Sequence, residues 1–172
     1  LKIFFDGGDA YLHAASGIYG RPIGKKDIER QHGKVAVLAL GFGGSVGALA
    51  NMARAYATEL PDPAGIVKGY REANPWILWL CRKVEEAAFD AVRNHGQVFG
   101  AGKLQLVASR ATLALVLPDG SALHYPNPRI EMVDRFGKDD GEEQPTVTFD
   151  HPTFGRAAFS GPVCTENPTQ AV

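Results

Sequence analysis

Glycine and proline punctuate the chain at helix-length intervals as far as His95-Gly96, and this spacing constrains the fold more than any other feature. Asp9 precedes Ala10-Tyr11-Leu12-His13 and is predicted to cap a helix that reaches about Tyr19. Gly20 stops that helix, with Pro22 just beyond. Gly24-Lys25-Lys26-Asp27 opens a second helix, expected over residues 27–40. Its first half is charged and its second half is apolar all round, so one end should meet solvent and the other should be buried. Gly41-Phe42-Gly43-Gly44 breaks it, and a third helix is expected over 45–56. Pro61 and Pro63 lead into a fourth over 64–73, and Asn74-Pro75 starts the longest, over 76–94. That last segment carries Ile77, Leu80/Cys81, Val84, Ala88 and Ala91/Val92 at three- and four-residue spacing, the period of a buried helix face.

The texture then changes. Residues 104–108 and 112–117 are short β-prone runs, and Pro118-Asp119-Gly120-Ser121 has the residues of a tight turn. Residues 122–125 should pair back as a hairpin, with further strands over 129–136 and 146–150 and a solvated acidic loop over 137–144. No internal repeat is visible. The fold class expected is α+β, mainly α-helical, with a small β region. With 45% apolar and 22% charged residues the chain has the composition of a folded globular protein. A net charge of -1 offers no global basic field for nucleic acid, although a local patch remains open. Cys81 and Cys164 suit neither a zinc knuckle nor a disulfide scaffold, which makes a reducing compartment the default. No apolar run approaches the ~20 residues of a membrane span. The ends suggest a piece of a longer protein. Leu1 to Phe5 reads as the tail of an element, and Thr165, with Pro168 in the first turn, reads as the start of a helix.

Most candidate motifs have ordinary structural explanations. The cluster Gly41, Gly43, Gly44, Gly47 does not match a dinucleotide-binding fingerprint and follows a helix, not a strand. The segment from Gly20 to Lys26 is too short for a phosphate-binding loop. The five histidines lack metal-ligand spacing. Asp6 and Asp9 could pair, but Asp9 is better used as a helix cap. The informative segment is Arg30 to Gly43. On a helix, Arg30, Lys34, Leu38 and Phe42 follow one another at four-residue steps. Two cations one turn apart repel by a few tenths of a kcal/mol, so the pair makes sense if an anion spans both. An apolar and then aromatic surface follows, where a base could stack. The stripe suits a nucleoside triphosphate lying along the helix; the alternative is an amphipathic helix with solvated cations.

At these residues the chain resembles family A DNA polymerases, the DNA polymerase I type, and most of all their phage and prophage members. The family's motif B runs Arg, three residues, Lys, an aromatic, then Tyr-Gly. Arg30, Lys34, Leu38 and Phe42-Gly43 stand at those positions. Asp6-Gly7-Gly8-Asp9 with Ile18-Tyr19-Gly20 resembles the segment after motif A. Gly24-Lys25-Lys26-Asp27 with Arg30-Gln31 resembles the approach to motif B. Leu117-Pro118-Asp119-Gly120 with Leu123-His124-Tyr125-Pro126 resembles the phage-type hairpin, and Thr165-Glu166-Asn167 with Gln170-Ala171 resembles the helix before motif C.

The resemblance implies a division into a palm-to-fingers helical segment (1–26), fingers helices with motif B (27–100), a β-rich hairpin region (101–164) and the start of a palm helix (165–172). It implies that Arg30 and Lys34 contact the triphosphate of an incoming dNTP and that Leu38, Phe42 and Tyr11 complete the dNTP site. Phe42, Gly43 and Gln170 would meet the primer-template. Leu38 replaces the family's usual Phe or Tyr, Phe42 replaces the commoner Tyr, and Tyr11 stands where many members have a His. The Mg²⁺ ligands of motifs A and C would lie outside residues 1–172, so this segment alone is expected to be inactive. The implied setting is a monomer binding DNA and dNTP in the cytoplasm, that of a bacterial host if the origin is a phage. The rival readings are a non-catalytic nucleotide- or DNA-binding module and a helical interaction domain.

Overall fold

Local chemistry sets the helix limits in a computed structural model of the chain, which describes residues 7–134 and 143–160. The expected tail at Leu1 to Phe5, most of the acidic loop and the capped start at Thr165 with Gln170 lie outside the described residues. Helix α1 (Ala10–Tyr19) begins where the Asp9 carboxylate accepts the N–H of Tyr11 at 2.9 Å and of Leu12 at 3.2 Å. It ends at Gly20, whose φ of 64° is left-handed and costs glycine little. Helix α2 (Glu29–Leu40) starts two residues later than expected. Asp27 is spent on a turn, its Oδ2 accepting the Gly24 N–H at 2.8 Å. Helices α3 (Val46–Ala55) and α4 (Pro63–Ala73) follow. Asp62 caps α4 through the Gly65 N–H at 2.9 Å, and Pro63 occupies the first turn. Helix α5 (Pro75–Arg93) is the long one.

The chain divides into two compact units at Leu78/Trp79, within α5. The first is helical. Its core takes Val35, Ala36 and Leu40 from α2, Leu49 and Ala53 from α3, Ile66, Val67 and Tyr70 from α4, and Ala14 from α1. Val35 and Leu49 are fully buried, which stabilises by roughly 1.5–3 kcal/mol per side chain. Gly33 lets α1 and α2 approach each other. A Cβ there would lie 2.9 Å from both the Cβ and the N of Ala15, and would overlap the Tyr11 carbonyl oxygen.

The second unit is built on two antiparallel sheets. One has the order β1 (Val98–Ala101), β2 (Leu104–Ala108), β3 (Thr112–Val116), β4 (Ala122–Pro126). The other has the order β5 (Arg129–Val133), β6 (Gln144–His151), β7 (Gly155–Ala158). The core joins Val84, Ala88 and Ala91 of α5 to Leu106, Leu113 and Leu115 of the first sheet and to Val147 and Phe149 of the second. Tyr125 meets Phe149 and Phe159 edge-on, with ring centroids 5.0 and 4.8 Å apart.

The α+β class is as expected, but the β part is larger than the sequence suggests. Strands β1 and β7 were not anticipated. Each has four residues, too few to show a period. The β1–β2 hairpin turns on Gly102-Lys103, with Gly102 at φ 64°. Among the described residues no helix is long and apolar enough to cross a membrane.

Candidate functional site

Arg30 lies in the first turn of α2, facing the start of α1. Its Nε donates to Asp9 Oδ2 at 2.8 Å and its NH2 lies 2.7 Å from the same oxygen. Its guanidinium also sits 5.7 Å from the centroid of the Tyr11 ring. Asp9 therefore serves twice, Oδ1 capping α1 and Oδ2 pairing with Arg30. The Arg30 hydrogen bond, helped by the Leu12 and Tyr11 N–H groups, outweighs partial desolvation and holds the Asp9 carboxyl below the usual range. The close packing at Gly33, one turn along α2, is what brings the Tyr11 end of α1 to Arg30.

These residues border an open cleft of about 700 Å³, lined by Gly7, Gly8, Asp9, Tyr11, Lys25, Arg30 and Val37 among others. Lys25, in the turn before α2, also lines the cleft with Arg30. It makes no hydrogen bond or ion pair among the described residues. Arg21 pairs with Glu29 and ties the α1–α2 connection to the start of α2.

The four-residue row diverges from the face that the cleft uses. Each four-residue step drifts about 40° around a helix of 3.6 residues per turn. Val37, seven residues beyond Arg30, returns closest to it and lines the cleft. Lys34 sits one step round, half-buried, with its Nζ 4.4 Å from the centroid of the Tyr56 ring. Leu38 is half-buried and lies outside the helical unit's core cluster. Phe42 follows the end of α2 at Gly41, and the Gly43 N–H donates to Leu40 O at 3.0 Å in a turn where Gly43 has φ 80°. So the structure joins Arg30 and Tyr11, adds Asp9 and Lys25, and spreads Lys34 and Leu38 along the adjoining surface of α2, with Phe42 just past its end. His32 is a buried core histidine, its Nδ1 2.6 Å from the Tyr19 hydroxyl.

Among the described residues no three His, Cys, Asp or Glu side chains converge in a way that could hold a metal ion. Asp9, the carboxylate at the cleft, has one oxygen on a helix N-terminus and the other on Arg30. The described residues therefore do not fit a divalent-metal site.

No protein-family model matches the chain. No solved structure matches it either. The chain is 37% identical over 147 residues, 81% of its length, to a protein named DNA polymerase from Bacillus phage SP02. The match bears out the likeness to a phage DNA polymerase read from the residues, and it spans 22% of that phage protein.

Proposed function

We propose that this chain is the nucleotide-positioning fingers segment of a template-directed DNA polymerase of family A. One observation carries the reading: Arg30 and Lys34 stand one turn apart on α2 with no carboxylate between them, and Arg30 borders an open cleft. Two cations at that spacing, Arg30 held by Asp9 alone and Lys34 by no carboxylate among the described residues, suit a polyphosphate. The match to a phage DNA polymerase supports the same assignment.

In this reading the triphosphate takes Arg30 from Asp9. Asp9 is its partner while the cleft is empty, and the two acceptors compete for one guanidinium. Lys25 adds a cation at the cleft beside the paired Arg30, and the Tyr11 phenol can donate a hydrogen bond without charge. Leu38, outside the core, meets the sugar. Phe42 and Gly43 lie beyond the helix end, where the templating base would sit, and Gln170 contacts the minor groove of the primer-template. Bound Mg²⁺ would assist the primer 3′-hydroxyl and the leaving pyrophosphate, held by carboxylates outside residues 1–172. The isolated chain accordingly binds dNTP without extending a primer. We place the polymerase in the cytoplasm of a bacterial host, acting as a monomer on DNA.

The test is titration of the purified chain with a dNTP, comparing the wild type with Arg30→Ala, Lys34→Ala and the surface control Lys68→Ala. Saturable binding lost in the first two and kept in the third supports the reading. Equal binding by all four proteins overturns it. Primer extension by the isolated chain above a protein-free control would overturn the placing of the metal ligands.

A further inference from the structure

We propose that Tyr56 is a positioning residue for Lys34, its ring holding the ammonium where the triphosphate of a nucleotide meets it. The inference rests on the reading of Lys34 as a triphosphate contact. Lys34 is an unusual lysine for a helix. No carboxylate pairs with it among the described residues, and its neighbours one turn away are Arg30 and Leu38. Its ammonium is nevertheless docked, 4.4 Å from the centroid of the Tyr56 ring, within the range at which the ring's negative face attracts a cation.

The backbone builds the platform. Tyr56 is the C-cap of α3, and its N–H donates to Met52 O at 3.1 Å. The chain then reverses through Ala57 at φ 47°, with the Thr58 N–H bonded to Ala53 O at 2.9 Å and the Ala57 N–H to Arg54 O at 3.1 Å. That pair of bonds is a Schellman closure. It fixes the residue carrying the ring with respect to α3, and α3 is anchored against α2 through Leu49 and Ala53 in the shared core. Tyr56 is 40% exposed, so it adds little to the core, and its contact with the ammonium is the visible use of its ring.

The chemical consequence is preorganisation. A lysine stem has several rotatable bonds, and fixing it when phosphate arrives costs conformational freedom. A ring that holds the ammonium beforehand removes part of that cost. It occupies one side of the ammonium by an electrostatic contact and leaves N–H donors for phosphate oxygens. A carboxylate in the same place would neutralise the charge the phosphate needs; the ring does not.

The experiment uses the purified chain and a deoxynucleoside triphosphate, titrated into the wild type, Tyr56→Phe, Tyr56→Leu, Lys34→Ala and the Lys34→Ala/Tyr56→Leu double variant. NMR of the lysine ε-methylene protons runs alongside. The ring should move the Lys34 ε-protons upfield in the wild type and in Tyr56→Phe, and the shift should vanish in Tyr56→Leu. Triphosphate binding should weaken about three- to fivefold in Tyr56→Leu and be rescued by Phe. In the Lys34→Ala background the Leu substitution should have no further effect. Absence of the upfield shift overturns the contact. An equal loss on Tyr56→Leu with and without Lys34 shows that Tyr56 acts through the fold and overturns the positioning role. A wild-type chain that shows the upfield shift but binds no triphosphate removes the nucleotide reading, and the role falls with it.

Discussion

Gly33→Ala tests the contact on which the site's geometry depends. In an open helix this change is favourable by up to ~1 kcal/mol, because alanine loses less backbone freedom on folding. At Gly33 the new Cβ would stand 2.9 Å from the Cβ of Ala15. Carbon atoms pack best at about 3.5–4.0 Å, so α1 must retreat by at least about 0.6 Å, and further to clear the Tyr11 carbonyl. Both obstacles are backbone or the first side-chain atom, so rotamer adjustment cannot relieve them. Overpacking of this kind costs roughly 1–3 kcal/mol. The expected net effect is a loss of about 1–2 kcal/mol, or roughly 2–4 °C in Tm per kcal/mol for a chain of this size. The displaced α1 carries the Tyr11 phenol, a donor to the nucleotide, away from Arg30, so dNTP affinity should change along with stability. Gly47→Ala is the internal control. Gly47 is exposed on α3, and a Cβ there meets nothing closer than Ser45 Oγ at 3.7 Å, so the same substitution should be neutral or stabilising. Thermal melts of both variants and a dNTP titration decide the matter. A Gly33→Ala protein as stable as the wild type would refute the close-approach argument.

The remaining expectations concern charge and shape at the site. Asp9→Asn keeps a side-chain oxygen for the cap but removes the competitor for Arg30, so triphosphate should bind about two- to fivefold tighter; weaker binding would show that Asp9 positions Arg30 instead of withholding it. Because the folded state lowers the Asp9 pKa, its stabilising contribution is complete above the ordinary carboxylate pKa and fades as pH falls through the folded value. Acid melts of the wild type should therefore lose an increment that Asp9→Asn lacks from the outset, and parallel curves would contradict this. In the full polymerase Lys34→Ala should slow nucleotide incorporation about 10²–10³-fold, against a negligible change for Lys68→Ala, whose exposed ion pair with Glu72 is 4.0 Å long; single-turnover rates check the contrast. Leu38→Tyr should relax discrimination against dideoxy nucleotides, measured by competitive incorporation. An unchanged ratio with a Tm lowered by overpacking would place Leu38 in the packing of α2 instead.

The sequence by itself determined whatever depends on a few neighbouring residues. Asp9 caps a helix because a carboxylate there meets N–H groups two and three residues on. Gly20 ends α1 because the backbone there is left-handed. The α5 stripe of Val84, Ala88 and Ala91 is buried where its period places it. The likeness to a phage polymerase was legible for a similar reason, since it rests on residue types in order. The tertiary structure alone decided which charges meet. Asp9 lies far along the chain from Arg30, and no local rule pairs them; Gly33 does so by letting two helices close. Lys25 reaches the cleft beside Arg30, and Lys34 meets Tyr56 through the separate packing of α3 on α2. Strands β1 and β7 were illegible because four residues carry no period and gain their hydrogen bonds from a partner strand. Even the row from Arg30 to Phe42, correct as spacing, could not give direction. A four-residue repeat winds around a helix of 3.6 residues per turn, and the packing of α2 against its neighbours decides which part of that row faces the cleft.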